Sequence, residues 1–405
     1  FQMLVSSIDY SEFVGRIAIG RIERGTIKQN QEIAVCNYHA PDAAPKKAKA
    51  TALYEFDGLA KVPVTEASAG NIIAMSGIGD VTIGDTICVP GCVEPIEFVK
   101  ISAPTIEMTF SVNDSPFAGR EGKFVTSRQL RDRLFRETLK DVSLRVNEVE
   151  SSTDSFSVAG RGEMSLSILM ETMRREGYEF QVGRPRVLFK KDENGNLQEP
   201  VEQAVVECPD EYAGKVIEIF GNSGGTMTSM ETGTSVTHVE FRIPTRGIMG
   251  LKNRILNVTH GEGVFYHTFL EYGPYAGEIG GRKNGAMIAM TTEKAVAYAL
   301  GTLQERGALF VEPGSECYEG MLVGERNQPG DMVVNIARTK NLGNQRSSTA
   351  DISVQLVPPR TFSLEEALEY IIDDELVEVT PKNIRMRKRL LNATDRKKAA
   401  NRAAK

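Results

Sequence analysis

The residues best suited to chemistry are cations near the C-terminal end of the sequence. They follow a segment from Ser363 to Glu378 in which seven residues are acidic and none is basic. The ten cations that come next, opposed by the single acid Asp395, are Lys382, Arg385, Arg387, Lys388, Arg389, Arg396, Lys397, Lys398, Arg402 and Lys405. Such a block is typical of a surface that binds a polyanion. We predict RNA contacts for the eight residues from Lys382 to Lys398; a solvated, disordered tail is the alternative.

A polar stretch from Asn335 to Ser347 also predicts RNA binding. Its second part, from Arg338 onward, has three cations and no acid. Arg and Lys hold phosphates, while Asn and Gln pair with base edges. The residues predicted to contact RNA in and before this loop are Arg326, Arg338, Lys340, Asn341, Asn344, Gln345, Arg346 and Ser347. We expect the loop to be poorly ordered until RNA contacts it, because it has little to bury; an exposed linker is the alternative.

The charge of the whole chain limits how RNA could be bound. With a formal net charge of −6 and a pI near 5.6, the molecule as a whole would repel nucleic acid. Any contact with RNA must therefore be made by a local patch.

No catalytic constellation is evident in the sequence. The stretch from Gly119 to Lys123 lacks the GxxxxGK[ST] spacing of a phosphate loop. Five scattered cysteines favour reduced thiols in a cytoplasmic protein, and no zinc-ligand pattern accompanies them. The acidic run from Asp373 to Glu375 could bind Mg²⁺, but such a run is more often a solvated helix end. We expect no catalytic residue, metal or cofactor in this chain, and no binding or hydrolysis of GTP.

The pattern of apolar residues predicts four domains and no membrane-spanning segment. Residues 1–97 read as short strands separated by glycines, typical of a small β-barrel. Residues 98–188 and 189–276 each follow the order βαββαβ of ferredoxin-like domains. Residues 277–405 predict a mixed α/β domain with a basic tail. It should contain a helix from about Thr292 to Arg306, an acidic helix over 364–375 that begins with a Ser363–Glu366 capping box, and a closing hairpin.

Within the first βαββαβ domain, two helices can be located in the sequence. Thr126 and Gln129 form a capping box at the start of one helix. The other has a single apolar face, formed by Leu166, Leu169, Met170 and Met173 at helical spacing, and Gly177 is its predicted end.

Several motifs resemble those of translational GTPases. FVGRIAIGRIERGTIKQNQEI resembles their second domain, and VAGRGEMSLSILMETMRREGYEFQVGRPRV their third, with Gly160, Gly162, Glu163 and Leu166 in its GxGE-x-x-L pattern. EPVEQAVVECPDEYAGKVIEIFGNSGGTMTSME and RIPTRGIMGLKNRILNVTHGEG are similar to the fifth domain of elongation factor G. The C-terminal domain of the BipA (TypA) family is similar to three stretches of this sequence: YEGMLVGE, the polar loop and LEEALEYIIDDELVEVTPKNIRMRKRLL.

This resemblance implies a ribosome-associated protein. Its partners would be rRNA and the acceptor end of tRNA, near the aminoacyl-tRNA position. Its implied roles are large-subunit assembly and stress adaptation, as a cytoplasmic monomer without membrane contact. The family's GTP-binding domain, which would hold GTP and Mg²⁺, would precede Phe1, so the chain would be a fragment of a GTPase.

Three alternatives remain open from the sequence. The chain could belong to a related factor of the elongation factor 4 or G type. It could be a regulator that binds proteins through its acidic helix, without RNA contact. A metabolic enzyme on ferredoxin-like domains would need a pocket of convergent titratable groups, which the sequence does not indicate.

Overall fold

Alternating apolar residues give the N-terminal part of the chain a series of short strands. The computed structural model describes residues 1–99, 101, 103–150, 152–279, 281–339 and 355–403. The first strands are β1 (Gln2–Ser11), β2 (Gly15–Arg24), β3 (Thr26–Lys28), β4 (Glu32–Asn37), β5 (Lys46–Lys49), β6 (Ala52–Asp57), β7 (Ala60–Val64), β8 (Glu66–Ser68), β9 (Ile72–Ser76) and β10 (Asp85–Cys88). Eight of them form one sheet, and β3 pairs with β8. They surround a single apolar core, as in a small β-barrel.

The chain divides into two units. One comprises Phe1–Pro104 and Arg131–Val146, and the other Thr105–Leu130 and Asn147–Lys405. The strands of the barrel belong to the first unit, and three further sheets are formed by the strands that follow it. All candidate RNA-binding residues belong to the sequence of the second unit.

The first α+β segment has the predicted order of elements. They are β11 (Ile106–Val112), α1 (Ser127–Glu137), β12 (Arg145–Val149), β13 (Ser152–Gly160), α2 (Glu163–Glu176), β14 (Phe180–Gly183) and β15 (Arg186–Val187). The capping box of Thr126 and Gln129 is formed at α1. Helix α2 ends at Gly177, whose φ of +98° is accessible to glycine at little cost.

The apolar face of α2 is buried as its spacing predicts. Leu166, Leu169, Met170 and Met173 all lie in the core, with Leu169 6% exposed. Replacing Leu169 by alanine should therefore lower the free energy of unfolding by about 2–5 kcal/mol, through lost burial and the cavity left behind. Chemical denaturation of the variant measures this value. A loss under about 0.5 kcal/mol, the usual effect at a surface position, would contradict the assignment of this face.

The second α+β segment repeats this order with one helix interrupted. Its elements are β16 (Lys190–Lys191), β17 (Leu197–Pro209), α3 (Asp210–Asn222), β18 (Thr226–Thr232), β19 (Val236–Pro244), α4 (Thr245–Ile248), α5 (Leu251–Val258) and β20 (Val264–Pro274). Strand β17 lies between β19 and β20 in the sheet. The βαββαβ order predicts a single helix between β19 and β20, but Gly250 at φ +75° separates α4 from α5.

The last segment is a mixed α/β structure. Its elements are β21 (Ala286–Ala289), α6 (Ala297–Leu303), a 3₁₀ helix (Gln304–Arg306), β22 (Gly307–Leu309), β23 (Leu322–Arg326), β24 (Met332–Val334), α7 (Leu364–Tyr370), β25 (Glu375–Val379), β26 (Ile384–Lys388) and α8 (Ala393–Ala403). Strands β22, β23, β21 and β24 form a sheet in that order, in which β21 and β24 are parallel.

Two helices in this segment are shorter than predicted. Helix α6 begins only after Val296, because the backbone N–H groups of Ala295 and Val296 donate to Ser315 and Ile336 instead of entering a helix. Helix α7 has the predicted Ser363–Glu366 capping box but ends at Tyr370, where the chain becomes extended. The acidic residues beyond it therefore lie in a turn and in β25.

The hairpin of β25 and β26 joins a sheet that the sequence did not indicate. Strand β25 pairs with β14, so the hairpin extends the sheet of the first α+β segment. All five residues of β25 are buried, and β14 would otherwise be an unpaired edge. The hairpin itself was predicted correctly, whereas its partner strand lies almost two hundred residues earlier in the chain.

The predicted class of a multidomain β and α+β protein is confirmed. The boundaries at residues 97, 188 and 276 stay predictions. Among the described helices, none has the length and apolar character needed to cross a membrane.

Candidate nucleic-acid interface

Strand β26 carries three of the predicted RNA contacts, and each is already engaged within the chain. Arg385 bonds to Glu121 at 2.5 Å and to Glu378 at 3.2 Å. Burial by itself would lower the pKa of Arg385, but these two carboxylates outweigh it and raise the pKa. The buried Glu378 also accepts hydrogen bonds from Tyr318 (2.7 Å) and Asn113 (3.0 Å). Arg385 is thus part of a satisfied network that joins the hairpin to the segment before α1.

Arg387 is only 1% exposed. Its guanidinium donates to Asp114 and to Gln181 on β14. A phosphate group could not reach this side chain without displacing those partners. Its Nε is buried without a hydrogen-bond partner among the described residues.

Lys388 has no exposed side-chain area and lies among three carboxylates. Its Nζ is 2.6 Å from Asp331, 2.9 Å from Glu375 and 3.0 Å from Asp374. Glu375 is also bound by Arg282 in two hydrogen bonds of 2.7 and 3.0 Å. Two residues of the acidic run considered for Mg²⁺, Asp374 and Glu375, therefore contact an ammonium group of the same chain, while Asp373 lies 3.5 Å from Arg186.

Arg385, Arg387 and Lys388 are thus engaged by partners within the chain, and their contact with RNA stays a prediction. Binding of RNA by these side chains would require them to leave partners that are buried with them. The sequence could not reveal this, because Glu121, Asp114, Gln181 and Asp331 come from distant segments, and the contacts with acids on or next to β25 depend on the register of the hairpin.

Four other cations of the block are accessible. Lys382, Arg389, Lys397 and Lys398 are exposed. No hydrogen bond or ion pair of the Lys382 or Arg389 side chain occurs among the described residues, while Lys398 lies 3.4 Å from Asp395. Exposed cations on a firm backbone can approach phosphates without first breaking internal contacts.

The basic tail is helical, which excludes the disordered alternative for its described part. Helix α8 runs from Ala393 to Ala403. Arg396 is half-buried and donates to the carbonyl oxygens of Leu390 and Leu391, so it closes the turn that leads into the helix. Burial lowers the pKa of Arg396. Arg396 is therefore engaged, and Lys397 and Lys398 are the exposed members of this group.

The polar loop is only partly described. Arg338 is exposed at its start. Arg326 is half-buried and donates to the carbonyl oxygens of Pro329 and Gly330 and to Gln328, so it closes its own turn. The other predicted contacts, Lys340, Asn341, Asn344, Gln345, Arg346 and Ser347, lie outside the described residues, and so does the expectation about order in this loop.

The acidic helix is largely occupied by contacts within the chain. Its apolar residues, including Leu364, Leu368 and Tyr370, are buried. Glu369 accepts hydrogen bonds of 3.1 Å from Asn253, and Glu366 is used in the capping box. Little of α7 is left to bind a separate protein.

A cleft of about 410 Å³ is lined by titratable residues that lie far apart in the sequence. Glu163, Arg246, Arg282 and Glu369 are among its lining residues. Burial, followed by the charge of Glu369, raises the pKa of Glu163 to about 7. However, Arg246 and Arg282 are held by the buried carboxylates of Glu199 and Glu375. The cleft is therefore built mainly from internal ion pairs, which does not favour a catalytic role.

The raised pKa of Glu163 predicts a pH-dependent stability. Because the folded pKa exceeds the ordinary value of 4.5, the contribution of Glu163 is complete below pH 4.5 and lost as pH rises through about 7. Glu163→Gln cannot ionise, so its stability relative to the wild type should increase between pH 5 and pH 8. Denaturation curves of both proteins at the two pH values measure this difference. The exposed Glu218→Gln serves as control; a Glu163→Gln difference that is equally flat would disprove the assignment.

Comparisons with known proteins match successive parts of the chain. The TypA/BipA C-terminal domain matches residues 284–393, the C-terminus of elongation factor G matches 196–283, and domain 2 of elongation factor Tu matches 15–88. The exposed Lys382 and Arg389 thus lie inside the first of these matches.

Full-length relatives match nearly the whole chain. A protein of Synechocystis is 47% identical over 96% of this chain and 64% of its own length. The relative in Bacillus subtilis is 44% identical over 98% of this chain and 65% of its own. For Escherichia coli K12 the values are 43%, 100% and 66%. All three are named large ribosomal subunit assembly factor BipA, and this chain spans 64–66% of their length.

A solved structure from Thermus thermophilus is a more distant match. It is 15% identical, with a TM-score of 0.43 over 68% of this chain and 55% of the other. This likeness is too weak to support an inference about function.

Proposed function

Because the chain belongs to the BipA (TypA) family, we propose that it forms the ribosome-binding part of a translational GTPase that assists assembly of the large ribosomal subunit. The proposal is supported by the relatives named large ribosomal subunit assembly factor BipA, which align with 96–100% of this chain. GTP and Mg²⁺ would be bound by a domain outside this sequence. The ribosomal partner implies a cytoplasmic protein, and we propose that it acts as a monomer.

We further propose that the chain contacts rRNA through exposed cations of its C-terminal segment. A chain of net charge −6 needs local contacts with RNA, and we propose the exposed cations Lys382, Arg389, Lys397 and Lys398 for them. Arg338 and the residues from Lys340 to Ser347 would add contacts from the polar loop. Arg and Lys bind phosphates irrespective of sequence, so this patch would supply affinity more than base recognition.

The proposed position of the contact rests on the resemblance to the family and not on the patch. We propose that the loop approaches rRNA and the acceptor end of tRNA near the aminoacyl-tRNA position. A role in stress adaptation would follow from the assembly function under conditions in which assembly becomes limiting.

The proposal predicts a selective loss of ribosome binding in a loop variant. Replacing Lys340 and Arg346 together by alanine should weaken binding to isolated large subunits by about tenfold at 150 mM salt, as two phosphate contacts are lost. Co-sedimentation over a range of subunit concentrations measures the affinity. We expect no change in melting temperature, because the polar composition of the loop gives it little apolar surface to bury.

Two controls accompany this experiment. One distinguishes contact with rRNA from contact with a ribosomal protein, and the other tests whether any loss of positive charge weakens binding. Nuclease digestion of the subunits before sedimentation should abolish binding if rRNA is the partner. Lys294→Ala is a matched variant, since Lys294 is an exposed lysine of the same segment that lies outside the proposed patch. Unchanged binding by the loop variant would remove the loop from the interface, and binding that survives digestion would favour a ribosomal protein as the partner.

A further inference from the structure

A second cleft in the C-terminal segment has a different charge character from the one around Glu163. Its volume is about 290 Å³, at the small end for ligand sites and near the size of one nucleotide. Its charged lining residues are all basic: Arg174, Arg360, Lys382 and Arg385. Phe310 and Phe362 provide its aromatic part. A cleft with cations and aromatic rings but no acid in its lining is suited to an anion that carries a flat ring.

The aromatic part is a preformed stack. Phe310 and Phe362 meet edge to face with ring centroids 4.8 Å apart, and both contact Tyr370. The guanidinium of Arg360 lies over the Phe362 ring, 4.4 Å from its centroid. Both rings are half-buried, whereas the side chain of Arg360 is 49% exposed. The outer member of the stack is therefore a guanidinium plane open to solvent, which is a surface on which nucleobases stack.

Lys382 is held near this stack by a rigid turn. The backbone N–H of Thr380 donates to Asn383 at 3.0 Å, and Arg174 donates to the carbonyl oxygen of Thr380 at 2.9 Å. The side chain of Asn383 donates to Glu121 at 2.8 Å. Lys382 itself is exposed. Its ammonium group can therefore bind a phosphate without the cost of ordering the backbone that carries it.

The nearby acids do not oppose an anion in this cleft. Glu121 is neutralised by Arg385 at 2.5 Å, and Glu325 lies 3.5 Å from Arg360. The contact of Arg360 with Glu325 is long and partly exposed, so it leaves the guanidinium able to form further hydrogen bonds.

We propose that this cleft binds one unpaired nucleotide of RNA, with the base stacked on Arg360 above Phe362 and the phosphate held by Lys382. This inference rests on the proposed function, which makes RNA the ligand. It adds a preference of the cleft for single-stranded RNA. A base inside a duplex is already stacked on both sides and cannot enter the cleft. The cleft would thus select a loop, bulge or end, in contrast to the exposed cations of α8, which would bind any phosphate backbone.

The test compares single-stranded and duplex RNA binding. The probes are a fluorescent octauridylate and a fluorescent RNA hairpin of eight base pairs, each titrated with the whole chain and followed by anisotropy. Phe362→Leu keeps an apolar side chain but removes the ring that supports Arg360, and Lys382→Ala removes the phosphate contact. Each should weaken binding of octauridylate about tenfold, a usual cost of losing one stacked base, and binding of the hairpin less than twofold. Melting curves establish that both variants fold.

Lys397→Ala on α8 is the matched control, because it should weaken both probes equally. Equal losses for both probes in the cleft variants, or no loss, would overturn the proposal while leaving RNA binding by the patch intact. Failure of the wild type to bind ribosomes while octauridylate still binds the cleft would instead refute the proposed function alone. Binding of a fluorescent glutamate octapeptide that is tighter than that of octauridylate, and that is weakened by both cleft variants, would assign the cleft to acidic peptides and also overturn the proposal.

Discussion

Replacing Lys388 by methionine is expected to lower the free energy of unfolding by about 3 kcal/mol. The substitution removes the cation that lies within 3.0 Å of Asp331, Asp374 and Glu375 while keeping the volume of the side chain. Removing one partner of a buried ion pair typically costs about 3–5 kcal/mol, because the remaining charge stays buried. The lower value is expected because Arg282 still neutralises Glu375. Urea denaturation at pH 7 measures the change.

The choice of pH matters for this measurement. Burial alone would lower the pKa of Lys388, but the charges of Glu375, Asp331 and Asp374 outweigh it and raise the pKa. A lysine with a raised folded pKa contributes its stability below the unfolded value, near 10.4, and loses it only as pH rises through the folded value. Asp331 has a lowered pKa, so its contribution is lost only as pH falls into the acid range. At pH 7 the whole effect of the cluster is therefore present.

Lys382→Met is the matched control for the same measurement. It makes the same chemical change at an exposed position a few residues earlier, where the free energy of unfolding should change by less than about 0.5 kcal/mol. A double variant with Glu375→Gln should lose less than the sum of the two single losses, since the two residues are in contact. Equal stability of Lys388→Met and the wild type would show that Lys388 is not part of a structural cluster.

Local sequence patterns predicted the elements of this fold well where one stretch of chain was sufficient. The apolar spacing of α2, its end at Gly177 and the capping box at Ser363 depend on residues within a few positions of one another. Side chains three and four apart on a helix share a face, so their burial follows from spacing alone. The βαββαβ order was predicted for the same reason.

Local sequence patterns did not predict structural features that depend on residues far away in the chain. Strand β25 pairs with β14, and no periodicity within residues 375–379 identifies that partner. The start of α6 after Val296 depends on hydrogen bonds to Ser315 and Ile336, which lie in distant parts of the segment. Such contacts are decided by the packing of the whole unit, and local propensity is only a weak guide to them.

The same distinction applies to the candidate interface: features set by neighbouring residues were predicted, and features set by distant residues were not. The concentration of positive charge near the C-terminal end is visible in the sequence, and part of it is exposed as expected. Charge counting could not distinguish Lys382, which lies on a turn, from Lys388, which is buried among three carboxylates. It also missed the cleft at Arg360 and Phe362, because these residues come near Lys382 only through the docking of the hairpin.

The positions of cations on α8 lead to a prediction about binding. Deleting residues 397–405 should flatten the salt dependence of ribosome binding, because it removes Lys397, Lys398, Arg402 and Lys405. Each phosphate contact contributes about 0.9 to the slope of log affinity against log salt, so the slope should fall by between one and about four. The deletion begins after Arg396, whose side chain bonds to Leu390 and Leu391 and should be kept to preserve the fold.

A variant that retains the helix separates lost charge from lost structure. Changing Lys397, Lys398 and Arg402 together to glutamine keeps good helix formers at these positions and removes three cations. Its salt slope should fall by up to about three, and its free energy of unfolding should change by less than about 0.5 kcal/mol, because the positions are exposed. Co-sedimentation with large subunits at several salt concentrations gives the slope. A slope equal to that of the wild type in both variants would show that α8 does not contact RNA, leaving the polar loop, Lys382 and Arg389 as the remaining candidates.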